Sequence, residues 1–93
     1  MKILTVCGLG MGSSLILKMN VETVLQKNGI QASVEHMDVS SASSARADLV
    51  ITNSELVDNL RQLSCPVVVV NNYIDTQEIT RALAQAGVLK EGV

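Results

Sequence analysis

Cys7-Gly8-Leu9-Gly10-Met11-Gly12-Ser13-Ser14 sets a thiol at the head of a stretch with glycine at every second position and two hydroxyls at its close. Thiolates are nucleophiles and bind covalently to electrophilic centres such as phosphorus. Glycines let a backbone approach an anion closely and present its N–H groups to it. Ser13 and Ser14 add hydroxyl donors. A thiol facing a ring of amides is placed to become a thiolate and to carry a phosphoryl group, so Cys7 is the candidate nucleophile. Gly8, Leu9, Gly10, Met11, Gly12, Ser13 and Ser14 are the candidate phosphate-binding loop.

Such a loop works only if a strand delivers it and a helix receives it. Lys2 to Val6 reads as a strand, and Ser13 to Asn28 as a helix with Leu17, Val21, Val24 and Leu25 at spacings of three and four. Ser13 or Ser14 is the expected N-cap, and Asn28-Gly29 the C-cap. A thiol at a helix N-terminus has its pKa lowered from about 8.5 to roughly 3.5–7.5.

The rest of the chain alternates in the same way. Ile30 to His36 reads as a strand with Ile30, Ala32 and Val34 on one face. Asp38 to Ala47 reads as a loop or one short helix capped by Asp38 or Ser40. Asp48 to Thr52 is a buried strand, and Ser54 to Leu63 a helix with Leu56, Val57, Leu60 and Leu63 on its apolar side. Pro66 to Val70 is a strand whose proline stands at a permitted first position. Asn71 to Asp75 is a loop, and Thr76 to Ala86 a helix closed by Gly87. This β-α-β-(α)-β-α-β-α order predicts an α/β fold: a four-stranded parallel sheet flanked by helices. Right-handed crossovers leave few topologies, and order 2-1-3-4 puts the switch point beside the first strand, where ligands bind.

Residues 1–93 are expected to form one domain, because the chain is short but long enough for a core. Hydrophobic residues make up 47% and aromatic ones only 1%, so that core is aliphatic, as suits strands buried on both faces. The formal charge of −2 and the scattering of Lys2, Lys18, Lys27, Arg46, Arg61, Arg81 and Lys90 leave no basic stripe for nucleic acid. No apolar run approaches a membrane span of about 20 residues, and the N-terminus does not read as a signal peptide. The expectation is a cytoplasmic protein with no direct membrane insertion, whose two cysteines do not pair. Neither a cofactor nor a metal ion is called for.

Three phosphate motifs compete for the loop. A Walker A loop needs Lys-Ser/Thr after its last glycine, and Gly12 is followed by Ser13-Ser14. A dinucleotide fingerprint needs a third glycine where Ser13 stands, and the chain has no second half. The loop is closer to low-molecular-weight tyrosine phosphatases and related arsenate reductases, which it resembles in fold and loop placement. Their cysteine is followed by five residues and an arginine, and Ser13 occupies that arginine's position. A guanidinium stabilises the transferring phosphoryl group by bidentate bonding. Its loss disfavours hydrolysis and favours a phosphocysteine that lasts until handover.

The chain is similar to the enzyme IIB subunits of the bacterial phosphoenolpyruvate-dependent sugar phosphotransferase system. The Val6-Cys7-Gly8-x-Gly10-x-Gly12-Ser13-Ser14 loop, followed by Lys18-Met19, looks like the ascorbate-type branch, with the galactitol type a near relation. Ala47 to Thr52 and Val67 to Asp75 also resemble that family. The lactose/cellobiose-type relatives share cysteine and fold, with a less glycine-rich loop expected. The resemblance implies a phosphotransferase in which Cys7 accepts phosphate from a phosphohistidine of enzyme IIA. Cys7 would pass it to a sugar bound by membrane enzyme IIC, leaving the protein cytoplasmic and peripheral to the membrane through enzyme IIC. The alternative is a small cysteine-loop phosphatase or reductase, and a third reading is a non-catalytic anion sensor.

Other polar residues have plainer expected roles. Cys65, at the amino end of the last strand, is expected to be structural. His36 is expected on the loop's edge of the sheet as a solvated or locally bonded group rather than a phosphate donor or acid/base, and Asp75 as a helix N-terminal residue rather than a general acid. The serine run Ser40 to Ser44 reads as loop, and Lys18 as a plain exposed lysine. Leu9 and Met11 are the candidates for partner contact.

Overall fold

Strand β1 (Lys2–Val6) lies inside a parallel sheet, paired on one side with β2 (Ser33–Met37) and on the other with β3 (Leu49–Thr52), which pairs with β4 (Val67–Val69). The order is β2-β1-β3-β4, the expected 2-1-3-4. Between them run helices α1 (Met11–Lys27) and α2 (Val39–Ala42) and a 3-10 turn over Val57–Leu60, and α3 (Thr76–Gln85) follows β4. This is a computed structural model that describes residues 1–6, 11–42, 46–60, 63 and 65–88, and for residues 11–14 the backbone alone.

Alternation along the strands divides the core into two layers, because successive side chains point to opposite faces. Ile3, Leu49 and Ile51 join Leu17, Val21, Val24 and Leu25 of α1 and Ile79, Ala82 and Leu83 of α3. Leu4, Val6 and Val50 face the other way, onto Ala42 and Leu60. Both faces of the sheet are covered, hence the near-continuous apolar strands.

α1 and α3 end in the same Schellman arrangement. Gly29 (φ 68°) and Gly87 (φ 83°) take the left-handed conformation. Ile30 N–H donates to the Leu25 carbonyl at 2.9 Å and Val88 N–H to the Leu83 carbonyl at 3.0 Å. The first cap explains why β2 starts at Ser33 and not at Ile30: residues 28–30 terminate the helix. Ile30 and Ala32 still pack on the same layer as Val34, as their alternation required.

Two further boundaries differ from the sequence reading. α1 begins at Met11, so Ser13 and Ser14 lie inside its first turn instead of capping it. First-turn N–H groups have no intrahelical partner, so glycine and serine are tolerated there. The segment after β3 is a turn and then a 3-10 helix, not an α-helix from Ser54 to Leu63; residues 61, 62 and 64 lie outside the described set. The Asn53 carboxamide oxygen accepts from the N–H groups of Glu55 and Leu56, both at 3.0 Å. These bonds and Asn59 N–H to the Leu56 carbonyl tighten the segment, which still buries Leu60.

Asp75 is the N-cap of α3. Its carboxylate accepts from Gln77 N–H at 3.0 Å and Glu78 N–H at 3.3 Å. Asp75→Ala should cost about 1 kcal/mol, and Asp75→Asn much less. In a domain of this size that loss lowers the melting temperature by roughly 4–8 °C. A melt unchanged in the alanine variant would contradict the capping role.

Candidate functional site

Parallel strands bring all their carboxyl ends to one edge. Val6, Met37, Thr52 and Val69 close their strands there, and the described connections after β2, β3 and β4 form the rim of that edge. Cys7, Gly8, Leu9 and Gly10 lie outside the described residues, as do the side chains of Met11, Gly12, Ser13 and Ser14. What is placed is the frame on both sides: residues 7–10 join Val6 at the end of β1 to Met11 at the start of α1. The second half of the expected loop, residues 11–14, is thus the first turn of the helix. Its N–H groups are those an α-helix leaves without internal partners, and they carry the positive end of its dipole. That first turn contains no acidic residue. Nothing in it competes electrostatically with a bound anion.

The β1–β3 register runs from Ile3↔Leu49 to Thr5↔Ile51. One residue further, the Thr52 hydroxyl donates to the Val6 carbonyl at 3.0 Å, while the Thr52 carbonyl accepts from Val70 N–H at 2.8 Å. Thr5 and Thr52 are the buried polar residues among those described, each with no exposed surface. Thr5 also bonds backbone, its hydroxyl donating to the Glu35 carbonyl at 3.3 Å. In the sequence Thr52 is only a strand end, marked by the change from Leu49-Val50-Ile51 to a hydroxyl.

A polar network stiffens the rim on the β3 and β4 side. Asn20 of α1 donates to the Tyr73 carbonyl at 2.6 Å, and Asn53 donates to the Tyr73 hydroxyl at 3.0 Å. The Asn71 side chain accepts from Ser54 N–H at 3.0 Å. The Glu78 carboxylate accepts from the N–H groups of Asn71 (2.9 Å) and Asn72 (3.2 Å). The β4–α3 connection is thereby fastened to α1, to the turn after β3 and to α3.

Beside that frame stand exposed apolar side chains to which the sequence assigns no contact role: Leu15, Ile16 and Met19 on α1, and Ile74 in the fastened turn. Their signal was apolar residues off the Leu17–Val21–Val24 stripe. Leu9 and the Met11 side chain, the expected contact residues, lie outside the described set. Lys18 is half-buried and ion-paired with Glu22 at 3.3 Å, a correction to its reading as plainly exposed, since its i+4 neighbour is acidic.

His36 lies near the carboxyl end of β2, in register with Thr5 and half-buried. Cys65 is a free thiol at the opposite edge, just before β4, packed on the layer of Leu4 and Val50. Asp75 is occupied as an N-cap, as expected. Ser40 and Ser41 belong to α2, so the serine run is helical where it is described, and residues 43–45 lie outside. Among the described residues no cluster of three or more metal-ligating side chains occurs.

Asp38 follows β2 and caps α2. The Ser41 backbone N–H, 2.8 Å from its carboxylate, and then the Ser41 and Ser40 side chains hold its pKa below the usual 3.8. A depressed native pKa means the native state binds fewer protons than the unfolded chain. The contribution is therefore complete above the unfolded value and is lost as pH falls through the native one. A carboxyl NMR titration should place the Asp38 midpoint below 3.8, and Ser41→Ala should leave it depressed because the backbone bond persists. A midpoint at or above the ordinary value would contradict this.

The fold defines the class: a four-stranded parallel α/β sheet of order 2-1-3-4, with the first helix following β1 beside the switch point. The family model described as the phosphotransferase-system lactose/cellobiose-specific IIB subunit matches residues 2–85. An ascorbate-specific phosphotransferase-system EIIB component of Mycoplasma pneumoniae is 30% identical over 86 residues, covering 89% of this chain and 90% of the relative. A mannitol-specific cryptic EIICB component of Escherichia coli K12 is 32% identical over 74 residues, covering 78% of this chain and 16% of the relative. The chain therefore spans only a small part of that longer protein. The solved lactose-specific IIB component domain of Streptococcus pneumoniae has a TM-score of 0.61 at 16% identity, covering 92% of this chain and 89% of that one, a likeness of fold.

The chain belongs to the IIB subunit family of the phosphoenolpyruvate-dependent sugar phosphotransferase system, and it is a phosphotransferase. Its sheet has the low-molecular-weight tyrosine phosphatase order expected from the sequence.

Proposed function

We propose that this protein is a phosphocysteine carrier in which Cys7 takes a phosphoryl group from a phosphohistidine of an enzyme IIA. It then passes the group to a sugar held by a membrane enzyme IIC. The observation that carries this reading is the first turn of α1: a helix N-terminus without acidic residues, four residues beyond β1 at the switch point. In the first step the Cys7 sulfur attacks phosphorus, the P–S bond forms and the P–N bond to histidine breaks. In the second, a sugar hydroxyl oxygen attacks phosphorus, the P–S bond breaks and the thiolate is recovered, while the hydroxyl proton leaves to solvent. Gly8, Leu9, Gly10, Met11, Gly12, Ser13 and Ser14 hold the three phosphoryl oxygens through N–H groups and hydroxyls. With serine at position 13, where the phosphatases have arginine, and with Asp75 engaged in capping α3, hydrolysis lacks two of its aids.

The ascorbate type is supported by the Mycoplasma relative, which aligns over nearly its whole length. Association with an enzyme IIC is supported by the mannitol relative, whose name joins the two components. No helix among the described residues is long and apolar enough to cross a membrane. As part of the same reading we assign the protein to the cytoplasm, peripheral to the membrane through the enzyme IIC it serves. Leu15, Ile16, Met19 and Ile74, apolar and exposed, are the described residues offered here for partner contact.

The test is incubation with phosphoenolpyruvate, enzyme I, HPr and candidate enzymes IIA, followed by intact-mass and peptide analysis. One added phosphoryl group on Cys7, delivered fastest by an ascorbate-type enzyme IIA, is expected. Partner-free turnover of an aryl phosphate, lost in Cys7→Ala, would instead establish a phosphatase.

A further inference from the structure

Thr52 is the last residue of β3, and its hydroxyl donates to the Val6 carbonyl at 3.0 Å across 46 positions of sequence. That carbonyl and the Cys7 N–H are the two ends of one planar peptide group. Whatever holds the oxygen therefore also sets the direction of the Cys7 N–H and the angle at which the chain enters the loop. The bond sits one residue past the last β1–β3 register pair, where β3 is engaged with β4 through Thr52↔Val69. It crosses the point where the two strands bordering the switch point cease to pair.

Its chemistry is also selective. The three residues before Thr52 in β3 are all buried and apolar, and Thr52 itself has no exposed surface. Valine would fill the same volume but could not donate a hydrogen bond. From this geometry we infer that Thr52 is a positioning residue for Cys7: its hydroxyl orients the Val6–Cys7 peptide, and with it the thiol, for phosphoryl transfer. The inference rests on the proposed role of Cys7.

Thr52→Val removes the donor and keeps the shape, whereas Thr52→Ser keeps the donor. The single-turnover rate of Cys7 phosphorylation by a phosphorylated enzyme IIA should fall roughly 10- to 100-fold in the valine variant. It should stay within about threefold of the parent rate in the serine variant, the scale expected when orientation is kept. The pH profile of Cys7 alkylation by iodoacetamide should move to higher pH in Thr52→Val and stay in place in Thr52→Ser. Circular dichroism keeps the comparison to folded protein, and if the valine variant does not fold, Thr52→Ala carries the same expectations. A donor-less variant with the parent rate and alkylation profile overturns the inference, as does a serine variant as impaired as valine. If the parent itself takes no phosphate on Cys7, the function proposed above fails, and the alkylation profiles still decide the role of Thr52.

Discussion

Cys7→Ser should abolish phosphoryl acceptance from enzyme IIA, with a loss of at least roughly a thousandfold. A serine hydroxyl occupies the same position, but at neutral pH it is almost wholly protonated and is a far weaker nucleophile than a thiolate. The glycine amides and the first turn of α1 remain, so binding of free phosphate should survive while the covalent adduct disappears. Cys65→Ser is the control. Cys65 lies at the amino edge of the sheet, packed with the layer of Leu4 and Val50, and transfer should stay within about twofold of the parent because it shares no part of the site. A Cys7→Ser protein that still gains a phosphoryl group on another residue would falsify the assignment.

Leu4→Ala should cause the largest loss of stability. Leu4 sits in the middle of β1 with no exposed surface, in the layer made with Val6, Ala42, Val50 and Leu60. Truncating a leucine in such a place costs about 2–5 kcal/mol, the spread reflecting how far the cavity collapses. A chain of this length has roughly 5–14 kcal/mol in all, so one substitution removes a large share. Among the described residues the buried partners of this layer outside the sheet are Ala42 of the short α2 and Leu60 of the 3-10 turn, few side chains to refill a void. Urea titration should show a lower midpoint with unchanged slope; a loss below about 1 kcal/mol would contradict the described packing. The same strand leads into Cys7, so loss of transfer at temperatures approaching the variant's midpoint is also expected.

Much of the architecture was legible in the chain because it rests on local signals. Leu17, Val21, Val24 and Leu25 recur at helical spacing and all prove buried against the sheet. Gly29 and Gly87 follow apolar helices at the position where a left-handed residue is needed, and both take positive φ. Asp75 stands where an N-cap belongs and makes the capping bonds. Strand order followed from alternation of elements and the handedness of crossovers, which leave few parallel arrangements. Less legible was the segment after β3. Its leucines and valine have helical spacing, but the Asn53 side chain takes the first N–H groups and draws the chain into a 3-10 turn. Helical periodicity describes which residues face the core and cannot by itself tell an α-turn from a tighter one.

By itself the sequence determined that Cys7 follows a strand, that alternate glycines follow it, and that no lysine or arginine stands where a nucleotide-binding or phosphatase loop needs one. Those are statements about neighbours along the chain. Only the tertiary structure decided that the loop's second half, from Met11, is the first turn of α1. It also decided that Leu15, Ile16, Met19 and Ile74 remain uncovered while their neighbours are buried. The contact of the Thr52 hydroxyl with the peptide that leads into Cys7 was likewise a tertiary outcome. The reason is one of distance: helix and turn signals act over about four residues, whereas strand register sets which side chain meets which carbonyl. Here it joins residues 46 positions apart.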